Sequence, residues 1–400
     1  MRFPYSIIKL VIVKYLKTLL SLFRNKDDRF LVLEMLESGN RGVSIRADFA
    51  DKTISVSKIV SNPSLKKIIK KFGRLAKYKI ILGLDSHLAT TIYSSVVLVR
   101  DRYKELIDEP ELDNLISQAI WKFFDRQRNK VAAKMNVTDL DIVLTDVRIR
   151  GVKLDGHKVV NPIGFKAKTV EIQFSQTFLL RDFVNSVKEY LPLNLISLVS
   201  ENGTAWASVI AKANLTDNFL LANLYGGKTL MFFADGIQNS YCERFNWGEE
   251  NVHRSLAADL AITPAVAKLI VGKCAAEQTS LTFRKRLESL FIKELEVLAG
   301  GINTALKKAD TKLVYLNTFF DLPAIFSSAF KSQFERSVVL QPTSIDLISQ
   351  NFGFDIKFKN SADSKNSSGL LVSLMEWYLA PQDDRMSQLA KRRVRWLSPL

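Results

Sequence analysis

FLLANLYGGKTLMFFAD (219–235) decides the fold. Two apolar runs, 219–225 and 229–235, flank Gly226–Gly227. Each run is too short for a helix and is rich in Phe, Leu and Tyr, so both read as buried strands. A Gly-Gly step supplies the positive φ that a tight hairpin turn needs. Beyond the hairpin, the periodicity predicts helices over 250–259, 263–273 and 279–308, a strand at KLVYLNTFF (312–320) and a short helix after Pro323. Before it, 30–60 reads as a meander with Gly39 and Gly42 at its first turn. SLKKIIKKFGRLAK (64–77) predicts a basic amphipathic helix with Leu65, Ile68, Ile69, Phe72 and Leu75 inward. Strands follow at 78–85 and 91–100, and a helix at 111–134 has Glu111 and Asp113 in its first turn, where they suit the helix dipole. Residues 140–174 read as strands and 177–190 as a helix ending before Pro192. Mixed sheets with interleaved helices, in two consecutive halves, predict an α/β chain of two related lobes.

The 400 residues carry 57 Lys and Arg against 41 Asp and Glu, a net charge of +16. Three stretches hold that excess: 1–29 nets +5, 63–79 nets +7 and 385–400 nets +5. The remaining body is close to neutral, unlike a chain that wraps nucleic acid, so no nucleic-acid partner is expected. Two cysteines, Cys242 and Cys274, exclude a disulfide framework and a thiolate metal cluster. His87, His157 and His253 are scattered, and no metal site is expected. No G-x-S-x-G, H-E-x-x-H or complete phosphate-binding loop is present. His87 after Ser86 is read as a loop residue, and the cysteines as buried apolar side chains.

YSIIKLVIVKYLKTLLSLFR (5–24) is interrupted by Lys9, Lys14 and Lys17, against a signal peptide or a spanning helix. Those lysines share a helix face with Arg24, while Phe23 lies on the apolar half. Such a helix lies in a membrane surface. In MSQLAKRRVRWLSPL (386–400), Met386, Leu389, Ala390, Val394, Trp396 and Leu397 share a face, with Arg392 and Arg395 opposite and Arg393 a misfit. Each basic residue near an anionic surface adds about 1 kcal/mol. The membrane residues expected are therefore Lys9, Lys14, Lys17, Phe23, Arg24, Leu389, Arg392, Arg393, Arg395, Trp396 and Leu397.

VVNPIGFKAKTVEIQF (159–174) resembles the Asn-Pro-Ile-Gly-Met stretch and following strand of the FtsA bacterial cell-division family, a branch of the actin-like ATPases. Colinear with it, IILGLDSHLATTIYSSVVLV (80–99) resembles the strand that opens that family's inserted subdomain, and LISLVSENGTAWASVI (195–210) a later lobe segment. LLANLYGGKTLMFFADG (220–236) resembles its second phosphate hairpin, and WGEENVHRSLAADLAI (247–262) the connection that follows, with Gly248 and Asp259 retained. KLVYLNTFFDLPAIFSSAF (312–330) resembles its adenosine strand. The resemblance implies an actin-like (ribonuclease H-like) two-lobed α/β fold with an inserted α+β subdomain and terminal amphipathic helices. The expected division is an N-terminal helix (1–28), a first lobe (29–79 and 166–217) interrupted by the insert (80–165), a second lobe (218–358), a linker with a short helix (359–384) and a membrane-targeting helix (385–400).

Hairpins that hold Mg-ATP need small residues at the phosphates and carboxylates for the hard cation. Against the family pattern, Glu34, Met35 and Leu36 stand at the first hairpin where Asp and Gly are expected. Asn223 and Leu230 replace carboxylates at the second, and Tyr225 enters its Gly run, while Gly226, Gly227, Lys228 and Thr229 survive. Asn317 and Thr318 replace two glycines, and Phe319 and Phe320 crowd the cleft. Val266 and Leu269 stand for an acidic–Lys pair. The expectation is a pseudo-ATPase with no catalytic residues and no cofactor. The alternative keeps ATP and magnesium, held by Glu34, Gly226, Gly227, Lys228, Thr229 and Asn317. The resemblance further implies a peripheral scaffold on the cytoplasmic face of the cell membrane. Its partners would be a tubulin-like division filament, other divisome proteins and the anionic membrane surface, with self-assembly into filaments. Two alternatives stand beside it, a working filament-forming ATPase and an actin-like assembly protein of a pilus or secretion platform. Trp121, Phe123 and Phe124 are expected to be core rather than a contact patch.

Overall fold

The computed structural model describes residues 28–36, 39–213, 218–235, 239–276, 278–309, 311–320, 322, 328–360, 367–380 and 385–397. The expected helix over 5–24, with Lys9, Lys14, Lys17, Phe23 and Arg24, lies outside them.

The chain opens with β1 (Asp28–Leu36), β2 (Gly39–Asp48), β3 (Thr53–Asn62), α1 (Leu65–Phe72) and β4 (Lys79–Leu84). Next come β5 (Ala89–Val99), α2 (Glu109–Met135), β6 (Ile142–Leu154), β7 (His157–Val159) and β8 (Thr169–Leu180). Then follow α3 (Arg181–Lys188), β9 (Ile196–Glu201) and α4 (Asn202–Ala213). The second half holds β10 (Asn218–Leu224), β11 (Thr229–Asp235), β12 (Asn239–Phe245), α5 (Glu249–Leu260), α6 (Pro264–Ala275) and α7 (Leu281–Lys308). It closes with β13 (Leu313–Thr318), α8 (Ser328–Lys331), β14 (Val339–Pro342), α9 (Ile345–Phe352), β15 (Asp355–Phe358), α10 (Ser368–Leu379) and α11 (Arg385–Leu397).

Two sheets repeat one plan. The first runs β15-β3-β2-β1-β4-β9 and the second β12-β11-β10-β13-β14. In each, an antiparallel meander is extended by two parallel strands: β4 and β9 beside β1, β13 and β14 beside β10. The strands of the meanders' inner edges, β1 and β10, are almost wholly buried, as their unbroken apolar runs require. A third, antiparallel sheet, β5-β8-β6-β7, is inserted between β4 and β9 and covered by α2.

The expected boundaries of the insert, 80–165, need correction. Residues 80–84 belong to β4 and pair with β1, while Thr169–Leu180 pair with β5 and β6 in the inserted sheet. The helix expected over 177–190 starts only at Arg181. Thr177, Phe178 and Leu179 have strand-forming side chains and neighbours on both edges, and this pairing outweighs the helical spacing. The expected helix 64–77 ends at Phe72, where Gly73 turns to φ +70°. The stretch expected to be a linker with a short helix, 359–384, contains α10, with nine buried residues packed on β1, β4 and α4.

Helix α1 sits on β2 above Gly42. A Cβ there would stand 2.6 Å from Ile68 Cγ2 and 2.9 Å from Phe72 Cε2. Gly42→Ala is therefore expected to push α1 off the sheet and to cost about 1–3 kcal/mol. A lower urea midpoint at an unchanged slope checks it.

Candidate functional site

Three parallel strands, β1, β4 and β9, lie side by side, and each carries an acid at or near its carboxyl edge. This edge is where open α/β sheets place ligands. Glu34 lies two residues before the end of β1, Asp85 follows β4 and Glu201 ends β9; all three are buried. Glu34 accepts from Arg41 Nε at 2.7 Å and from Asn202 Nδ2 at 3.0 Å. Arg41 is its register partner on β2, and its Nη2 also binds the carboxylate. Gly369 of α10 packs on the carboxylate too closely to carry a Cβ. Ser373 of the same helix donates to Asn202 Oδ1 at 3.3 Å. Burial pushes the Glu34 carboxyl above its usual range, and the Arg41 guanidinium opposes that shift. Glu34 is thus tied into the lobe and does not project into the cleft as a metal ligand would.

Asp85 contacts His87 Nδ1 at 3.3 Å and accepts from Ser86 Oγ at 3.1 Å. Glu201 accepts from the Thr91 backbone N–H at 2.7 Å, and its other oxygen has no hydrogen-bond partner among the described residues. Burial, with Asp85 nearby, raises its pKa to about 7, against the pull of Lys134 and Thr91.

The second hairpin closes on itself. The Tyr225 N–H donates to the Lys228 carbonyl at 2.9 Å. The carbonyls of Tyr225 and Gly226 accept from the N–H groups of Glu249 and Glu250, which open α5. Gly248 allows this approach, since a Cβ there would strike both carbonyls. The α5 N–H groups, natural anion donors, are therefore used within the fold. Thr229 donates its hydroxyl to the Trp247 carbonyl at 2.8 Å. Asn317 donates to Asn223 Oδ1 at 2.8 Å and accepts from Thr343 Oγ1 at 2.9 Å. Gly226, Gly227, Lys228 and Thr229 stay together on one turn, with Asn317 on the neighbouring strand and Glu34 in the opposite lobe.

Between the lobes the Tyr225 and Phe319 rings stack, centroids 4.5 Å apart and 11° from parallel. Phe319 and Phe320 also border a polar opening of ≈ 560 Å³, whose lining includes Asn40, Arg41, Asn62, Asn317, Thr318 and Thr343. Leu36, Asp85, Gly226 and Glu249 enclose only ≈ 10 Å³ with Tyr225, Phe319 and Phe320, roughly the room of one water. Leu36, Phe319 and Phe320 border both spaces, while Asp85 and Glu249 line only the small one. These residues do not fit Mg-ATP. Among the described residues, no group of three or more His, Cys, Asp and Glu is placed to hold a metal.

The buried core of a second network was not singled out in the sequence. Arg148 of β6 donates to Asp146 at 2.6 Å, to Glu376 of α10 at 2.6 Å and to the Val199 carbonyl of β9 at 3.0 Å. Ser200 donates to the other Glu376 oxygen. The network joins insert, first lobe and α10. A register shift between Leu144 and Asp146 re-aims the strand here. The sequence signal for the site was present: three apolar strands, FLVLEML, YKIILGLD and ISLVSE, each carry an acid at or near their carboxyl end.

The C-terminal helix α11 corrects an expectation. Met386, Leu389, Ala390 and Val394 are buried against the insert, and α11 packs on β6 and α2. Arg393 pairs with Asp113, whose other oxygen lies 3.4 Å from Arg392. Leu389 and its apolar neighbours are thus covered by the protein's own body instead of facing a membrane. The apolar stripe fits the insert's core as well as it would fit lipid. The side chains of Arg395, Trp396 and Leu397 lie outside the described residues. Of the aromatic trio on α2, Phe123 is buried, Phe124 is half-buried on Phe178 and Trp121 is 50 % exposed.

No family model matches the chain, and no curated protein does. Among solved structures it is similar to a chain of the PilM-PilN type IV pilus biogenesis complex, with a TM-score of 0.53 at 11% identity, covering 87% of this chain and 98% of that one. The ethanolamine utilization protein EutJ from Carboxydothermus hydrogenoformans gives a TM-score of 0.36 at 9% identity over 86% of this chain and 89% of that one. The cytoplasmic domain of EpsL, an inner membrane component of the type II secretion system of Vibrio cholerae, gives 0.33 at 8% identity over 87% and 95%. The chain has an actin-like fold of two lobes.

Proposed function

We propose that the chain is a non-hydrolysing actin-like scaffold that holds a partner at a membrane-bound assembly. One observation carries the reading: Tyr225, Phe319 and Phe320 fill the space beside Asp85 and Glu249, leaving only ≈ 10 Å³ there. A pilus or secretion platform is the assembly favoured, since the fold neighbour at TM-score 0.53 comes from a type IV pilus biogenesis complex. The second reading is a division scaffold on the cytoplasmic face of the membrane, with a tubulin-like filament as partner. The colinear motifs from VVNPIGFKAKTVEIQF (159–174) onward favour it.

Calorimetric titration of the full chain with Mg-ATP and Mg-ADP tests the shared core of both readings. No heat is expected at concentrations that saturate a micromolar site, and no phosphate release above buffer. Micromolar binding with phosphate release would overturn the scaffold reading and make the chain a working ATPase.

A further inference from the structure

We propose that the outer face of the first lobe carries a binding site for a phosphate-bearing anion, walled by Arg29, Arg46, Lys58, Lys71 and Lys77. These side chains, with Ser44, Ser57, Phe72 and Tyr78, line a basin of ≈ 350 Å³ to which no carboxylate among the described residues contributes. The volume is within the range of ligand pockets. Its lining shares no residue with either interlobe space.

Three observations distinguish the basin from an ordinary solvated basic face. First, Arg29 and Arg46 are direct register partners on β1 and β2. Like charges facing each other across a ladder are destabilising, and a bridging anion reverses that cost. Second, the β2–β3 register shifts so that Ser44 pairs with Lys58 and Ile45 with Val56. The extra residue, Ser57, donates to the Ser44 carbonyl at 2.9 Å, and the bulge brings Lys58 beside Ser44. Third, two of the five cations are held rather than loose. Lys58 donates to the Lys71 carbonyl at 2.7 Å and lies 5.6 Å from the Phe72 ring; Lys77 lies 4.9 Å from the Tyr78 ring. Among the described residues, Arg29, Arg46, Lys71 and Lys77 form no ion pair. Two guanidiniums, three ammoniums and the hydroxyls of Ser44 and Tyr78 are the donor set that phosphate oxygens require. The basic sequence 1–27, with Lys9, Lys14, Lys17 and Arg24, enters β1 one residue before Arg29. A lipid headgroup and a free phosphate share this chemistry.

The test uses the full chain and two probes, inorganic pyrophosphate by calorimetry and phosphatidylcholine vesicles with and without phosphatidylglycerol by co-sedimentation. Arg29→Gln with Arg46→Gln is expected to weaken binding roughly thirtyfold, at about 1 kcal/mol for each charge. Lys67→Gln with Lys70→Gln removes equal charge from exposed positions of α1 outside the basin and is expected to change little. Loss on pyrophosphate assigns a soluble ligand; loss confined to phosphatidylglycerol vesicles assigns a headgroup. Equal loss in the two double variants, or no binding of either probe by the unaltered chain, overturns the proposal. The Arg pair variant should melt no lower than the parent, since it removes a repulsion. Lys77→Gln lies outside the sheet and repeats the test independently of the ladder.

Discussion

Arg148→Met is expected to destabilise the protein by about 3–5 kcal/mol, because it leaves two buried carboxylates without their counter-charge. Asp146, Arg148 and Glu376 are each under a tenth exposed. Neither carboxylate can turn to water without breaking the junction between β6, β9 and α10. Desolvation makes the intact triad a poor source of net stability, but it makes a broken one costly. Replacing all three groups together, Asp146→Asn, Arg148→Met and Glu376→Gln, is expected to recover most of the loss. Equilibrium urea unfolding of both variants provides the check. A single variant within about 1 kcal/mol of the parent would show that water reaches the triad. Because the triad spans insert and lobe, the single variant should also expose the insert to proteases first.

The second large effect depends on pH. Glu201 has its pKa raised by burial from 4.5 to about 7. Between those values the folded protein binds a proton that the unfolded chain has released. Stability from this group is therefore complete below about pH 4.5 and is lost as pH rises toward 7. At 1.36 kcal/mol per unit the full difference is about 3 kcal/mol. Glu201→Gln keeps an acceptor for the Thr91 N–H and carries no charge. Its gain over the parent should be near zero at acidic pH and about 1–3 kcal/mol above pH 7, less the cost of one unpaired amide. Glu34, also pushed up by burial, adds a dependence of the same sign that Arg41 restrains. A difference between variant and parent that stays flat with pH would mean Glu201 is solvated.

The lobes were legible because their strands are local. The hairpin 219–235 and the meander 30–60 each close with neighbours in sequence, and their apolar runs and glycines say so. The insert's edges were less legible, because whether Lys79–Leu84 or Thr169–Leu180 joins a given sheet is settled by pairing across many residues. Both stretches satisfy either sheet by composition. The plugging of the cleft by Tyr225, Phe319 and Phe320 was readable from residue size alone. The Arg148 triad was not: its members are 228 residues apart at the ends that meet, and a charged residue inside an apolar strand names no partner. The stripe of α11 illustrates a different limit. Hydrophobic periodicity fixes which face is buried and leaves open whether protein or lipid buries it.

Strand β15 pairs with β3, joining Asp355 to Thr53, and α10 packs on β1 and β4. The first lobe is therefore the first to be synthesised and the last to be finished. Its early strands emerge from the ribosome and wait for residues 355–379, roughly 15 to 60 s at ordinary elongation rates. During that interval β3 presents an unpaired edge, and the pocket for α10 is open. The second lobe, whose strands all lie within 218–342, can close in the meantime. A nascent chain arrested near residue 350 should then carry a protease-resistant second lobe and a first lobe that chaperones still hold.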